Sequence, residues 1–217
     1  MSDDSTAEYQ YIAVEGVIGV GKTSLCKLLA MRLGGRLILE DVSSNPFIEQ
    51  FYKSPREYAF KTQLFYLISR FKQHMDIPQP DLFNSPFILD YIFQKDRIFA
   101  TLNLDDDELD LYNTVCDAIE PKVMPPELVV YLQASTDRLL ERIRKRGRSY
   151  ELTISREYLE ALNNAYNDFF FHYTQAPVFI VNTDDIDFVA SQSHLDDLIE
   201  KIFEPHHGIT YYNPGGR

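Results

Sequence analysis

Residues 11–23 read YIAVEGVIGVGKT, an apolar run that passes into a glycine-rich loop and ends on Lys22–Thr23. From Gly16 the spacing is G-x-x-x-x-G-K-T, filled by Gly16, Val17, Ile18, Gly19, Val20, Gly21, Lys22 and Thr23. Glycines let successive backbone N–H groups turn inward, and a helix starting where the loop ends adds its dipole, so the two together cradle phosphate oxygens. Lys22 offers a mobile cation to β- and γ-phosphates, and the Thr23 hydroxyl is a ligand for Mg²⁺. The run before the loop reads as a buried strand and the residues after it as an amphipathic helix. An ordinary glycine-rich turn needs neither that context nor the Lys–Thr pair. The stretch therefore predicts an ATP or GTP site. A GTPase would need a guanine-reading N-K-x-D, which the chain lacks; VNTD at 181–184 is only a faint echo of it.

Outward from this loop, short apolar strands alternate with longer helical patterns, the signature of βαβ units and a parallel sheet. Strands are expected at Tyr11–Glu15, Arg36–Glu40, Pro86–Asp90, Leu128–Gln133 and Val178–Asn182. Helices are expected at about Lys22–Leu33, Pro55–Met75, Asp105–Ile119, Thr136–Lys145, Arg156–His172 and His194–Phe203. The prediction is an α/β fold, a five-stranded parallel sheet flanked by helices, forming one domain over residues 9–204. The acidic residues 1–8 are expected to be disordered. Residues 205–217, PHHGITYYNPGGR, are expected to be a flexible tail, with His206–His207 solvated for want of an acidic or Cys companion.

Lys plus Arg number 21 and Asp plus Glu 33, giving a net charge of −12. That balance disfavours nucleic acid or an anionic membrane as a partner. No apolar run approaches the ~20 residues of a membrane helix, and the acidic N-terminus lacks the shape of a signal peptide. Cys26 and Cys116 lie far apart and fit no metal-ligand spacing, which suits a reducing compartment. A soluble, cytoplasmic protein is the expectation.

Against that acidic background, residues 142–148 read RIRKRGR, five cations in seven positions. Arg142 and Arg146 are four apart and share a helix face, and Gly147 loosens the chain before Arg148. Such a segment can close as an arginine-rich lid over a transferring phosphoryl group, stabilising charge on its oxygens. A solvated basic face or a nucleic-acid patch is the alternative.

With both features present, the chain resembles the deoxynucleoside kinases of the deoxycytidine, deoxyguanosine and deoxyadenosine kinase group, in their bacterial-type form. The resemblance covers about residues 9–190 and implies a P-loop kinase fold. It is carried by VEGVIGVGKT, LEDVSSNPFIEQFY, YAFKTQLFYLISRF, the lid and VNTDDIDF. By that resemblance Glu40 is the general base for the sugar 5′-hydroxyl, where the usual following Pro is Asp41. The residue type suits the task, because a carboxylate can both align an alcohol and take its proton. Gln63 then reads the substrate base, Arg70 pairs with Asp96 beside that base, and Tyr52 with Glu151 holds the 3′-hydroxyl. Arg142, Arg146 and Arg148 match the catalytic lid, and Asp187 with Phe188 lies near the adenine of ATP. Asp90 matches the carboxylate that, with Thr23, holds Mg²⁺. One departure is plain: after that strand the family has Glu-Arg-Ser, and this chain has Asp90-Tyr91-Ile92. The arginine is missing, and Lys95 or a lid arginine is the candidate to replace it.

The resemblance implies ATP-dependent phosphorylation of a deoxynucleoside, with a lean towards deoxyadenosine and deoxyguanosine and with deoxycytidine next, and a homodimer. A nucleoside-monophosphate kinase would need further arginines near the acceptor, and between Phe51 and Asp90 only Arg56 and Arg70 occur. A nucleotide-binding protein without turnover would need neither the lid nor Glu40.

Overall fold

A strand buried at every position belongs inside a sheet covered on both faces, and Tyr11–Gly16, apolar but for Glu15, lies there. The computed structural model describes residues 9–77 and 85–214. Its elements run β1 (Tyr11–Gly16), α1 (Lys22–Leu33), β2 (Arg36–Ile38), α2 (Ile48–Lys53), α3 (Pro55–Met75), β3 (Phe87–Leu89), α4 (Lys95–Asn103), α5 (Asp106–Ile119), β4 (Leu128–Gln133), α6 (Thr136–Arg146), α7 (Arg156–His172), β5 (Val178–Asn182), α8 (Gln192–Ile202) and β6 (Ile209–Tyr212). The sheet order is β2-β3-β1-β4-β5-β6, and every pairing is parallel. The chain builds one flank of β1 with β3 and then the other with β4, so the strand order reverses at β1. In such sheets the ligand crevice opens beyond the carboxyl ends of the strands at that reversal.

Local chemistry sets the helix ends. The side chains of Asp105, Ser135 and Ser155 accept from the backbone N–H of Glu108, Arg138 and Tyr158, which caps α5, α6 and α7. At the far end of α6, Gly147 takes φ +70°, the left-handed conformation that stops a helix at little cost. Inward aromatics join α7 to the sheet, with Tyr131 stacked on Phe170 at a centroid distance of 4.3 Å.

The sheet has six strands rather than five. Residues Ile209–Tyr212, expected to belong to a flexible tail, pair in parallel with β5 from Val178↔Ile209 to Val181↔Tyr212. The Gly and Pro around them set the turns, while ITYY itself is the β-branched and aromatic composition of a strand. His206 is correspondingly not solvated: it is 7% exposed, and its ring packs 4.5 Å from that of Phe179. Nε2 donates to Lys201 O at 3.0 Å and Nδ1 accepts from the Thr210 hydroxyl at 2.8 Å. Two helices were not foreseen. α2 is only six residues long, and Gln94, which precedes α4, makes no side-chain cap. Residues 1–8 lie outside the described residues.

Candidate active site

The loop after β1 is held from behind by Glu15, a carboxylate fully buried in an otherwise apolar strand. Its Oε1 accepts from Gly16 N at 3.0 Å and from the Tyr166 hydroxyl at 3.1 Å, and its Oε2 accepts from Ile92 N at 3.0 Å. Burying a charge unpaired is costly, so three donors converging on it mark a designed anchor. Sequence reasoning passed over Glu15, although a lone Glu amid YIAV was signal enough. Gly16 could hardly be another residue: at φ +148° a Cβ would lie 2.4 Å from Leu132 O. Lys22 Nζ donates back to Gly16 O at 2.6 Å and Val17 O at 3.3 Å. Burial and then the nearby Lys95 bring its pKa down to about 8.

Asp90, at the end of β3, links this loop to Glu40. Its Oδ2 accepts from the Thr23 hydroxyl at 2.7 Å and its Oδ1 from Glu40 N at 2.7 Å. Thr23 and Asp90 thus put two hard oxygen atoms side by side at the phosphate loop. That set fits Mg²⁺, which takes one or two carboxylates beside phosphate oxygens and water.

Beyond Lys22 opens a cavity of about 320 Å³ that contains Glu40, Tyr52, Gln63, Arg70 and Glu151. Glu40 is clamped by two cations: Arg70 Nη2 donates to Oε1, and Lys95 Nζ donates to Oε2 at 2.8 Å. Burial alone would raise the carboxylate's pKa; Arg70 and Lys95 outweigh it and hold the group well below the usual range. The same Arg70 pairs with Asp96, as expected, and its guanidinium lies 5.1 Å from the Tyr66 ring centroid. Gln63 is 3% exposed and borders the cavity, and its side-chain amide hydrogen-bonds to no described residue. Beside it Thr62 Oγ1 is buried without a partner. Tyr52 stacks on Tyr150 at 5.7 Å, and burial, with Glu151 contributing, raises its hydroxyl pKa well above the ordinary value. Tyr52 and Glu151 therefore border the same cavity, near enough for the Glu151 charge to act on the Tyr52 hydroxyl.

A second cavity, of about 520 Å³, lies on the other side of the loop and contains Arg142, Asp187 and Phe188. Asp187 Oδ1 accepts from the N–H groups of Val189 and Ala190, and Phe188 is buried against Gly21. Arg146 and Arg148 border both cavities, as Gly19, Lys22 and Thr23 do. Arg142 departs from the expectation. Its guanidinium donates to Val20 O at 3.0 Å, Thr183 Oγ1 at 2.9 Å and Thr183 O at 2.8 Å, and it borders only the second cavity. One turn earlier on α6 than Arg146, it meets the Val20 carbonyl of the loop and the carbonyl and hydroxyl of Thr183 after β5, and they take up its donors. It is a strut between loop, lid and β5 and does not face the acceptor side.

A phosphate loop between two cavities, with a carboxylate in one and a basic lid bordering both, defines a phosphotransferase. The family model for deoxynucleoside kinases matches residues 12–206, and the chain belongs to that family. It is 34% identical over 199 residues to a deoxyguanosine kinase of Bacillus subtilis, covering 89% of this chain and 96% of that one. A deoxyadenosine/deoxycytidine kinase of the same organism is 30% identical over 210 residues, 93% of this chain and 95% of the other. Among solved structures, a deoxyadenosine kinase from M. mycoides with bound dATP superposes with a TM-score of 0.77 at 28% identity, covering 89% of this chain and all of that one. The enzyme reading and the α/β kinase fold hold.

Proposed function

We propose that this chain transfers the terminal phosphoryl group of ATP to the 5′-hydroxyl of a deoxynucleoside in nucleotide salvage. The acceptor is a purine deoxynucleoside, deoxyadenosine or deoxyguanosine, with deoxycytidine the next candidate. One observation carries the reading: Lys22, Glu40 and Gln63 line a single cavity, so phosphate, base catalyst and nucleobase reader face one another.

Glu40 takes the proton of the 5′-hydroxyl as its oxygen attacks the γ-phosphorus, and ADP leaves. Lys22, Arg146 and Arg148 hold the charge on the phosphoryl oxygens. Gln63 meets the base with its in-plane donor and acceptor, beside the Arg70–Asp96 pair, while Tyr52 and Glu151 take the 3′-hydroxyl. Arg142, Asp187 and Phe188 form the side that receives the adenine of ATP. Thr23 and Asp90 would hold Mg²⁺, which when bound neutralises phosphate charge. Arg70, already committed to Glu40 and Asp96, is not free for an acceptor phosphate, which speaks against a nucleoside-monophosphate kinase.

We place the enzyme in the cytoplasm as a homodimer that packs along α3 and its neighbour α5. The exposed apolar side chains Ile68, Met75 and Leu111 support that face, and light scattering after gel filtration tests it. The function is tested by ATP turnover against the deoxynucleosides, the ribonucleosides and the deoxynucleoside monophosphates. Deoxynucleosides should turn over, and Glu40→Gln should lower kcat by about 10²–10⁴-fold. Turnover confined to monophosphates would overturn the reading.

A further inference from the structure

Glu40, the base in the reading just given, has no free oxygen. Arg70 occupies Oε1 and Lys95 occupies Oε2. A carboxylate held by two buried cations is a weak proton acceptor, so catalysis requires one of them to let go. The two are unequal. Arg70 is 4% exposed, is tied on its other edge to Asp96, and lies against the rings of Tyr66 and Tyr91. A planar guanidinium bound on two sides is fixed. Lys95, equally buried at 6% exposed, is a point charge on a flexible stem, and Glu40 is its only side-chain partner among the described residues. Its ammonium lies near enough to Lys22 to repel it, and both border the acceptor cavity with Asp90.

Resting on the general-base role of Glu40, we propose that Lys95 is a transferable cation, which holds Oε2 of Glu40 before the substrates bind and moves to the γ-phosphoryl group when both are bound. The move frees Oε2 for the 5′-hydroxyl proton and makes Glu40 a stronger base. It also adds a positive charge beside Lys22 where negative charge spreads in the transition state. The bookkeeping is that of the phosphoryl transfer itself. The O5′–H proton passes to Oε2, the O5′–P bond forms, the P–O bond to ADP breaks, and Lys95 keeps its proton throughout.

The test is steady-state kinetics of Lys95→Met and Lys95→Arg, with Glu40→Gln alongside and thermal melting of each. Lys95→Met should lower kcat by 100-fold or more while the KM values for ATP and deoxynucleoside stay within about threefold. Lys95→Arg, which keeps the charge, should retain at least a tenth of kcat. Should Lys95→Met fail to fold, the folded Lys95→Arg decides: a kcat as low as that of Glu40→Gln overturns the proposal. A folded Lys95→Met with kcat within threefold of wild type overturns it as well. If Glu40→Gln itself stays active, it is the general-base reading that falls.

Discussion

Arg146 Nη2 donates to Glu151 Oε2 at 2.5 Å, an ion pair that joins the two cavities, since Arg146 borders both and Glu151 borders the acceptor side. Glu151 is 5% exposed on its side chain and also accepts from Arg148 at 3.3 Å. Two of the arginines in the basic segment thus rest on Glu151. On the proposed reading, a triphosphate that draws them away leaves Glu151 free for the 3′-hydroxyl. Glu151→Gln should raise the deoxynucleoside KM about tenfold or more, the loss of one hydrogen bond to a charged group. An unchanged KM in initial-rate measurements would remove Glu151 from the acceptor site.

Gln63→Leu keeps roughly the volume and apolar stem of the side chain and removes its in-plane donor and acceptor. A base whose polar edge loses its partner costs about 1–3 kcal/mol, so kcat/KM for the preferred deoxynucleoside should fall about 5- to 150-fold. The KM for ATP should not move. Equal losses on donor and acceptor would show a folding defect instead of a base contact.

Lys22 has a pKa lowered to about 8. Bound triphosphate favours the ammonium and raises that value, so above pH 8 ATP binding must take up a proton. Affinity should weaken as pH rises past about 8, by up to tenfold per unit. Titration calorimetry at pH 9 in buffers of different ionisation enthalpy should show uptake approaching one proton, and no uptake would disprove it.

His74 is buried with Nε2 unpaired, edge-on to the rings of Tyr91 and Phe93 at 5.6 and 5.9 Å. Burial, and then Arg70, lowers its pKa to about 4. The unfolded chain protonates this group near the ordinary value of about 6.5 while the folded chain keeps it neutral. Stability is therefore lost progressively as pH falls from about 6.5 to 4, and the loss levels off below. About 2.5 units correspond to roughly 3 kcal/mol. His74→Phe should flatten that part of the stability-against-pH curve in urea unfolding. An unchanged slope between pH 6.5 and 4 would sink the assignment.

The phosphate loop, the long helices and the lid were legible because periodicity and caps are local: α3 and α7 run as read, from Pro55 to Met75 and from Arg156 to His172. So was the pairing of Arg70 with Asp96, though on family resemblance and not on spacing. What escaped depends on groups distant in the chain. Nothing local says that Arg142 spends its donors on Val20 and Thr183, or that Lys95 reaches Glu40 across 55 positions. β6 was hidden by its setting, since Gly208 and Pro214 made a four-residue strand resemble a tail. Glu15 was visible as a charge in an apolar run, but its three donors come from the loop, from Ile92 and from Tyr166, which only folding brings together.

The strut at Arg142 bears on how fast the site can refill. With its guanidinium riveted to the loop and to the end of β5, the body of α6 cannot swing as a door. Movement is left to a short lever arm beyond Gly147, where Arg148 and the turn Ser149–Thr153 lie. That arm is a loop, whose motions take nanoseconds to microseconds, whereas opening of a whole lid takes microseconds to seconds. A closure confined to it follows the pace of a loop, and the helix behind it keeps its place.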